Sequence, residues 1–315
     1  MMTALLTHAA CFGHEPPQGH PERPARLSAV LDALRELDVV ECDAPRAPVQ
    51  ALRQAHAGEL VELILKPWSD PASETPYARL DADTFISTGS AEAALRAAGA
   101  VIAGIDGVMD GNFQNAFCAV RPPGHHAERN RAMGFCLFNN VAVGVFHARR
   151  AHGLERIAVI DFDVHHGNGT QDIVFDDPGV FYASTHQMPL YPGTGFARER
   201  GVANNVLNCP LRPGGESGDF RAMYRDSVLP ALEQFAPEFI LISAGFDAHR
   251  ADPLANLNLE ADDFAWVSHE ICAIAHRTCG GRVVSALEGG YDLDALAASA
   301  AAHVQALIEA RNVVR

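Results

Sequence analysis

The chain lacks any run of 18 apolar residues unbroken by a charge or a helix breaker, which argues against a transmembrane helix. Its start, Met1 to His8, has no basic segment and too short an apolar stretch for a secretion signal. Basic residues are scarce: 24 Lys and Arg face 39 Asp and Glu, a net charge of −15, which argues against a broad nucleic-acid surface. Cysteines are present but unorganised. The seven, at positions 11, 42, 118, 136, 209, 272 and 279, are odd in number, and no two are spaced as C-x-x-C. Neither a disulfide scaffold nor a zinc finger fits, and buried free thiols in a reducing, cytoplasmic compartment are expected. Tyr and Trp are few, five and two, yet there are 15 His, which directs attention to metal or acid–base chemistry.

Short apolar runs alternate with longer segments of helical periodicity. The pattern predicts strands at Thr3–Thr7, Asn115–Val120, Arg156–Asp161, Gly179–Ser184, Asn205–Cys209, Glu238–Ser243 and Arg282–Leu287. Continuous stretches such as Ile157-Ala-Val-Ile160 and Phe239-Ile-Leu-Ile242 suit strands buried on both faces of a parallel sheet. Helices are predicted at Pro24–Leu37, Ser90–Met109, Asn139–His152, Asp219–Phe235, Glu260–Thr278 and Leu293–Glu309. The alternation implies one doubly wound α/β domain over residues 1–315. Lys66–Asp83, with Pro67, Pro71 and Pro76, reads as a long surface loop.

In open α/β sheets ligands bind beyond the carboxyl ends of the strands. There this sequence concentrates its polar residues, in Arg121-Pro-Pro-Gly-His125-His126, Asp161-Phe-Asp163-Val-His165-His166-Gly-Asn168, Ala244-Gly-Phe-Asp247 and Glu288-Gly-Gly-Tyr291. In an extended segment Asp161, Asp163 and His165 share one face, so a carboxylate and an imidazole reach one ion. Asp247, from another strand, supplies a third ligand. Two Asp oxygens and one His nitrogen leave an open coordination position, as a catalytic zinc site requires, although Fe²⁺ and Co²⁺ accept the same donors. Asp161, if it turns away from the ion, orients His125, and Asn168 can accept from His126. The two imidazoles would then differ in proton affinity, which suits a base and an acid or electrostatic partner. Tyr291 can donate to a developing oxyanion.

Seven segments together resemble the zinc-dependent histone deacetylase family, and within it the class II-like branch with its bacterial deacetylase and amidohydrolase relatives. They are His20-Pro-Glu-Arg-Pro-Ala-Arg26-Leu27, Arg121-Pro-Pro-Gly-His-His-Ala127, Gly134-Phe-Cys-Leu-Phe-Asn-Asn140, Asp161 to Gln171, Tyr191-Pro-Gly-Thr-Gly195, Ser243 to Leu254 and Glu288-Gly-Gly-Tyr-Asp-Leu293. The resemblance implies the arginase–deacetylase fold, three layers around a mostly parallel eight-stranded sheet. It implies Zn²⁺ on Asp163, His165 and Asp247, with His125 and His126 acting on water and leaving amine and Tyr291 polarising the scissile carbonyl. A structural K⁺ or Na⁺ is implied beside Asp161, Asp163, His165, Ser184 and Thr185. Gly134, Phe135, Tyr191 and Leu254 fall where the family lines its acyl-lysine channel, and Arg26 near an internal product channel. Asn168 stands where class I enzymes carry Asp, the class II pattern.

The expected function is therefore removal of acetyl or other short acyl groups from acyl-lysine side chains of a protein or peptide. Acetylpolyamines and other small acetylated amines are the alternative substrates. Polyamine-specific relatives carry an acidic gate just after the Asp-Pro of the Asp247 loop, and here Leu254 follows Asp252-Pro253. A binuclear manganese ureohydrolase on the same fold would need a further acidic ligand where His249 stands. A catalytically dead lysine-binding module would not require the intact ligand set. No membrane or nucleic-acid partner is expected, and a homo-oligomer is compatible. His8, His14, His20 and His56 read for the most part as surface or loop residues, and Cys136 as a thiol near the pocket.

Overall fold

The computed structural model describes residues 2–66, 68 and 75–310. Its centre is a sheet whose strands, in chain order, are β1 (Thr3–Thr7), β2 (Val39–Asp43), β5 (Asn115–Cys118), β6 (Ile157–Asp161), β7 (Val180–Gln187), β8 (Val206–Leu211), β9 (Phe239–Ala244) and β10 (Val283–Leu287). A separate antiparallel hairpin joins β3 (Tyr77–Arg79) to β4 (Phe85–Ser87). The large sheet runs β2-β1-β5-β10-β9-β6-β7-β8, and every pairing in it is parallel. The apolar runs at Ile157–Asp161 and Phe239–Ala244 are buried throughout, as strands covered on both faces must be.

The ten α-helices are α1 (Pro24–Leu34), α2 (Val49–Ala55), α3 (Gly58–Leu65), α4 (Ser90–Met109), α5 (Asn140–His152), α6 (Asn168–Val174), α7 (Ser217–Met223), α8 (Leu229–Phe235), α9 (Ala261–Cys279) and α10 (Leu293–Ala310) among the described residues. Crossovers β2→β5, β5→β6 and β6→β7 move one way along the sheet, while β1→β2, β8→β9 and β9→β10 move the other. Right-handed connections then put α4, α5 and α6 on one face and α1 and α7 to α9 on the opposite one, where α10 packs against α1 and α9. The direction reverses on either side of the β10–β9 pair. Such reversals open crevices at the carboxyl ends of β5, β10, β9 and β6, four neighbouring strands.

Differences from the sequence reading have physical reasons. Edge strand β2 carries Glu41 and Asp43 among only two Val and is partly exposed, so it shows no apolar run. The helix expected over Asp219–Phe235 begins at Ser217 and has one π turn, Tyr224–Val228, between α7 and α8. Of the expected Lys66–Asp83 loop, residues 67 and 69–74, with Pro67 and Pro71, lie outside the described residues. The rest of it is not all loop, because Tyr77–Arg79 pairs with Phe85–Ser87. All seven cysteines are free, and all but the half-buried Cys42 are buried. Among the described residues no helix is long and apolar enough to cross a membrane.

His14 and His56 are not surface residues. His14 is buried, with Nδ1 2.7 Å from Ser90 Oγ. His56 donates from Nδ1 to the Glu128 carbonyl at 2.9 Å and accepts at Nε2 from the Asn139 N–H at 2.9 Å, a pairing only the neutral ring can make. Burial lowers His14 and His56 to about 4, and it lowers His303, between Ser268 and Ser285, to about 3. A folded pKa below the unfolded value favours the fold above pH ~6.5, and that contribution is lost as pH falls towards the folded values. Each such histidine should cost about 1.4 kcal/mol per pH unit across that window. Melting temperature should therefore fall steeply from pH 6.5 to 4.5, and His303→Gln should flatten the slope. A flat wild-type profile would contradict the neutral buried rings.

Candidate active site

The chain leaving β5 turns through Arg121-Pro-Pro-Gly before presenting His125 and His126. Buried charge holds the turn in place. Fully buried Arg121 bonds both carboxylate oxygens of Glu22 and the carbonyls of Cys11 and His14. From the other side, Glu288 Oε2 accepts from the N–H groups of Gly124 and His125 at 2.6 and 3.1 Å. Burial pushes Glu288 up to about 7, against the pull of His125 and these N–H groups.

Asp163 and His165 follow β6, and Asp247 follows β9. The three side chains are buried, and their ligand atoms lie within 4.8 Å of one another. His165 Nδ1 is 3.1 Å from both Asp163 Oδ1 and Asp247 Oδ2. Backbone donors fix the carboxylates: Val164 N–H to Asp247 at 2.8 Å, His165 N–H to Asp163 at 2.8 Å and Gly289 N–H to Asp163 at 2.8 Å. Gly289 must be glycine, because a Cβ would sit 2.0 Å from Asp247 Oδ2 and 2.5 Å from Asp163 Oδ2. Burial and the facing Asp163 charge raise Asp247, while burial is outweighed at His165, which the two carboxylates raise to about 10. Two carboxylate oxygens and one imidazole nitrogen thus converge in an interior that demands positive charge. That donor set and charge fit a divalent ion of the zinc type.

Asp161 has turned away from this cluster. Its Oδ2 lies 3.1 Å from His125 Nδ1 and accepts from the Tyr182 hydroxyl at 3.1 Å. Burial lowers the His125 pKa, but Asp163 and Asp161 outweigh it and raise the ring to about 10. His126 differs. Its Nδ1 is 2.8 Å from Asn168 Oδ1, and burial together with the charges of His125 and His165 holds it well below the usual histidine range. Asn168 in turn donates from Nδ2 to Glu128 Oε1 at 2.8 Å, so the amide is held with its oxygen towards His126. Ser184 pairs in register with Asp161 on the next strand. Its hydroxyl meets His186 Nδ1 at 2.9 Å, and Thr185 donates to the Tyr224 hydroxyl at 3.4 Å.

A cavity of about 210 Å³ opens over these groups, lined by His126, His165, Gly134, Phe135, Leu190, Tyr191, Leu254, Tyr291 and Asp83. All four expected channel residues line it. Phe135 adopts a left-handed backbone at φ 68°, unusual for a bulky residue and costing about 1–3 kcal/mol. The Thr84 hydroxyl accepts its N–H at 3.0 Å, and edge contacts to His20 and Tyr291 fix the ring at the pocket wall. Tyr191 stands opposite, edge-on to His126 with centroids 5.1 Å apart. Tyr291 is held at its backbone N–H by Asp252 at 2.7 Å, and the Arg26 guanidinium lies 4.8 Å from its ring centre. Arg26 is fully buried and donates to the carbonyls of Glu288 and Gly290 at 2.5 Å each. Burial raises the Tyr291 phenol well above its ordinary pKa, so it keeps its proton. Cys136 is buried and its pKa is driven up by burial, which makes it unreactive rather than oxidation-prone.

The sequence reading missed the supporting roles of Glu22, Glu128, Asp252 and Glu288. A glutamate directly after a five-residue apolar strand was the available signal for Glu288. The other three carry no local sign of burial.

Residues 20–307 match the family described as the histone deacetylase domain. The chain is 38% identical to the histone deacetylase-like amidohydrolase of Pseudomonas aeruginosa, over 94% of this chain and 79% of that protein. It is 37% identical to a probable deacetylase of Archaeoglobus fulgidus, over 93% of this chain and 82% of the relative. Among solved structures it resembles the crystal structure of the HDA15 HD domain, with a TM-score of 0.89 and 35% identity, covering 98% of this chain and 88% of that one.

Proposed function

Because the chain belongs to the histone deacetylase family, we propose that it is a zinc-dependent amidohydrolase acting as one catalytic domain, removing acetyl or other short acyl groups from acyl-lysine side chains. The observation that carries this reading is the convergence of Asp163, His165 and Asp247 beneath a pocket walled by Phe135 and Tyr191, with His126 and Tyr291 in its lining.

Asp163, His165 and Asp247 would hold the ion, which when bound would polarise the acyl carbonyl and make water nucleophilic at neutral pH. The chain's own residues supply the rest. His126 is unprotonated, and its Nδ1–H is committed to Asn168, so its Nε2 takes the proton of the attacking water. The Tyr291 hydroxyl donates to the oxygen where charge develops. His125, its Nδ1 held by Asp161, stands beside that charge as its electrostatic partner. His126 then protonates the departing amine. Phe135 and Tyr191 flank an aliphatic arm, and Leu190 and Leu254 reduce water at the mouth. The same reading extends to a monovalent cation, K⁺ or Na⁺, beside Asp161 and Ser184. Fe²⁺ or Co²⁺ would satisfy the same catalytic donors as zinc.

Leu254 at the pocket lining offers no charge to a distal ammonium, which favours acyl-lysine. Asp83, also at the lining, favours the second reading, an acetylpolyamine. The test compares an acetyl-lysine peptide with acetylputrescine and acetylspermidine. The peptide should be turned over faster, and Leu254→Glu should shift preference towards the polyamines by up to about fivefold, the effect of one partly exposed charge pair of up to ~1 kcal/mol. Faster wild-type polyamine turnover would overturn the acyl-lysine assignment.

A further inference from the structure

A second cluster of metal-ligating side chains lies outside the pocket. His147 Nε2 and His152 Nε2 both point at Asp106 Oδ1, at 2.6 and 2.7 Å. All three ligand atoms fall within 4.8 Å of one another. The two imidazoles are 19% and 16% exposed and the carboxylate 42%, so the cluster is anchored on one side and open on the other. His147 also lines a groove of about 340 Å³ with Gln50, Gln54, Phe146 and Arg150, which gives an ion a route in.

We propose that Asp106, His147 and His152 form a second divalent-cation site, selective for borderline transition metals such as Zn²⁺, that ties α4 to α5. Two observations carry it. Two nitrogens and one carboxylate oxygen suit zinc, cobalt, nickel or copper, whereas magnesium and calcium prefer all-oxygen donors. His147 and His152 occupy the last two turns of α5 and Asp106 the last turn of α4. Two helix carboxyl ends therefore turn their partial negative charge towards the cluster, a field that favours a cation. Of the two last-turn guanidiniums of α5, Arg149 is drawn off by Asp177, and Arg150 lines the groove beside His147.

The site is separate from the catalytic one. α4 and α5 end where β5 and β6 begin, whereas His125 and Asp163 follow the far ends of those strands. The rival arrangement is a pair of imidazole N–H groups sharing one carboxylate oxygen with no ion, and metal counting separates the two.

The test starts from enzyme carrying its first metal equivalent. It is dialysed against buffered Zn²⁺, and bound metal is measured by elemental analysis. Two zinc ions per chain are expected for the wild type and one for His152→Ala, with deacetylase activity within about twofold. The zinc-dependent rise in melting temperature that binding to the folded state produces should be present in the wild type and absent in the variant. If His152→Ala does not fold, His147→Gln should give the same count. A single zinc in the wild type, or two in a folded variant, would overturn the site.

Discussion

Tyr291→Phe should lower kcat on an acetyl-lysine reporter by about 10²–10³-fold, the usual cost of losing one oxyanion donor, with KM and metal content little changed. The substitution removes a single hydroxyl. The ring keeps its place because Asp252 holds the residue through its backbone N–H, not through the phenol, and because Arg26 and Phe135 pack against the ring itself. Asp252→Ala makes a useful contrast, since it leaves the hydroxyl but frees the loop that aims it. It should lower kcat less than Tyr291→Phe. An unchanged rate for Tyr291→Phe would remove the residue from the chemistry.

If zinc is held as proposed, Asp247→Asn should strip it, as read by elemental analysis, and lower the rate by at least about 10³-fold, because a neutral amide cannot replace an anionic ligand in a buried site. The isosteric amide oxygen can still accept the Val164 N–H, so the local backbone should survive. The stability effect has the opposite sign. Burial and Asp163 raise the Asp247 pKa, so its ionisation opposes folding of the metal-free chain. Metal-free Asp247→Asn should melt at the same temperature as the metal-free wild type or higher. Full activity with metal retained would exclude Asp247 as a ligand.

What the sequence made legible follows from where the information is local. The strands Ile157–Asp161 and Phe239–Ala244 open on the unbroken apolar runs Ile157–Ile160 and Phe239–Ile242 and are buried throughout, a pattern that strands covered on both faces require. Site residues that end such strands were therefore visible at once, and the structure gathers His126, His165, Phe135, Tyr191 and Tyr291 around one cavity. The half-exposed β2 was not visible, because an edge strand with acidic residues needs no apolar periodicity. Nor was α6, whose seven residues begin inside the polar stretch that carries Asn168. Supporting carboxylates were hidden for a different reason. Glu128 looks like a surface residue until Asn168, forty positions on, donates to it, and Glu288 until the Gly124 turn arrives from another strand. Burial of an acid is a property of its partners, and those partners are distant in sequence.

β10 is the last strand of the sheet in chain order, yet it lies between β5 and β9 at the centre. During synthesis the two halves of the sheet must wait for β10 before their inner edges can pair. A chain cut short before residue 283 would lose no edge strand. It would expose the unpaired inner edges of β5 and the largely apolar β9, the kind that pair with other chains. Truncation ahead of β10 should therefore produce aggregates rather than a trimmed enzyme, and it also removes Glu288 and Tyr291, which close the site.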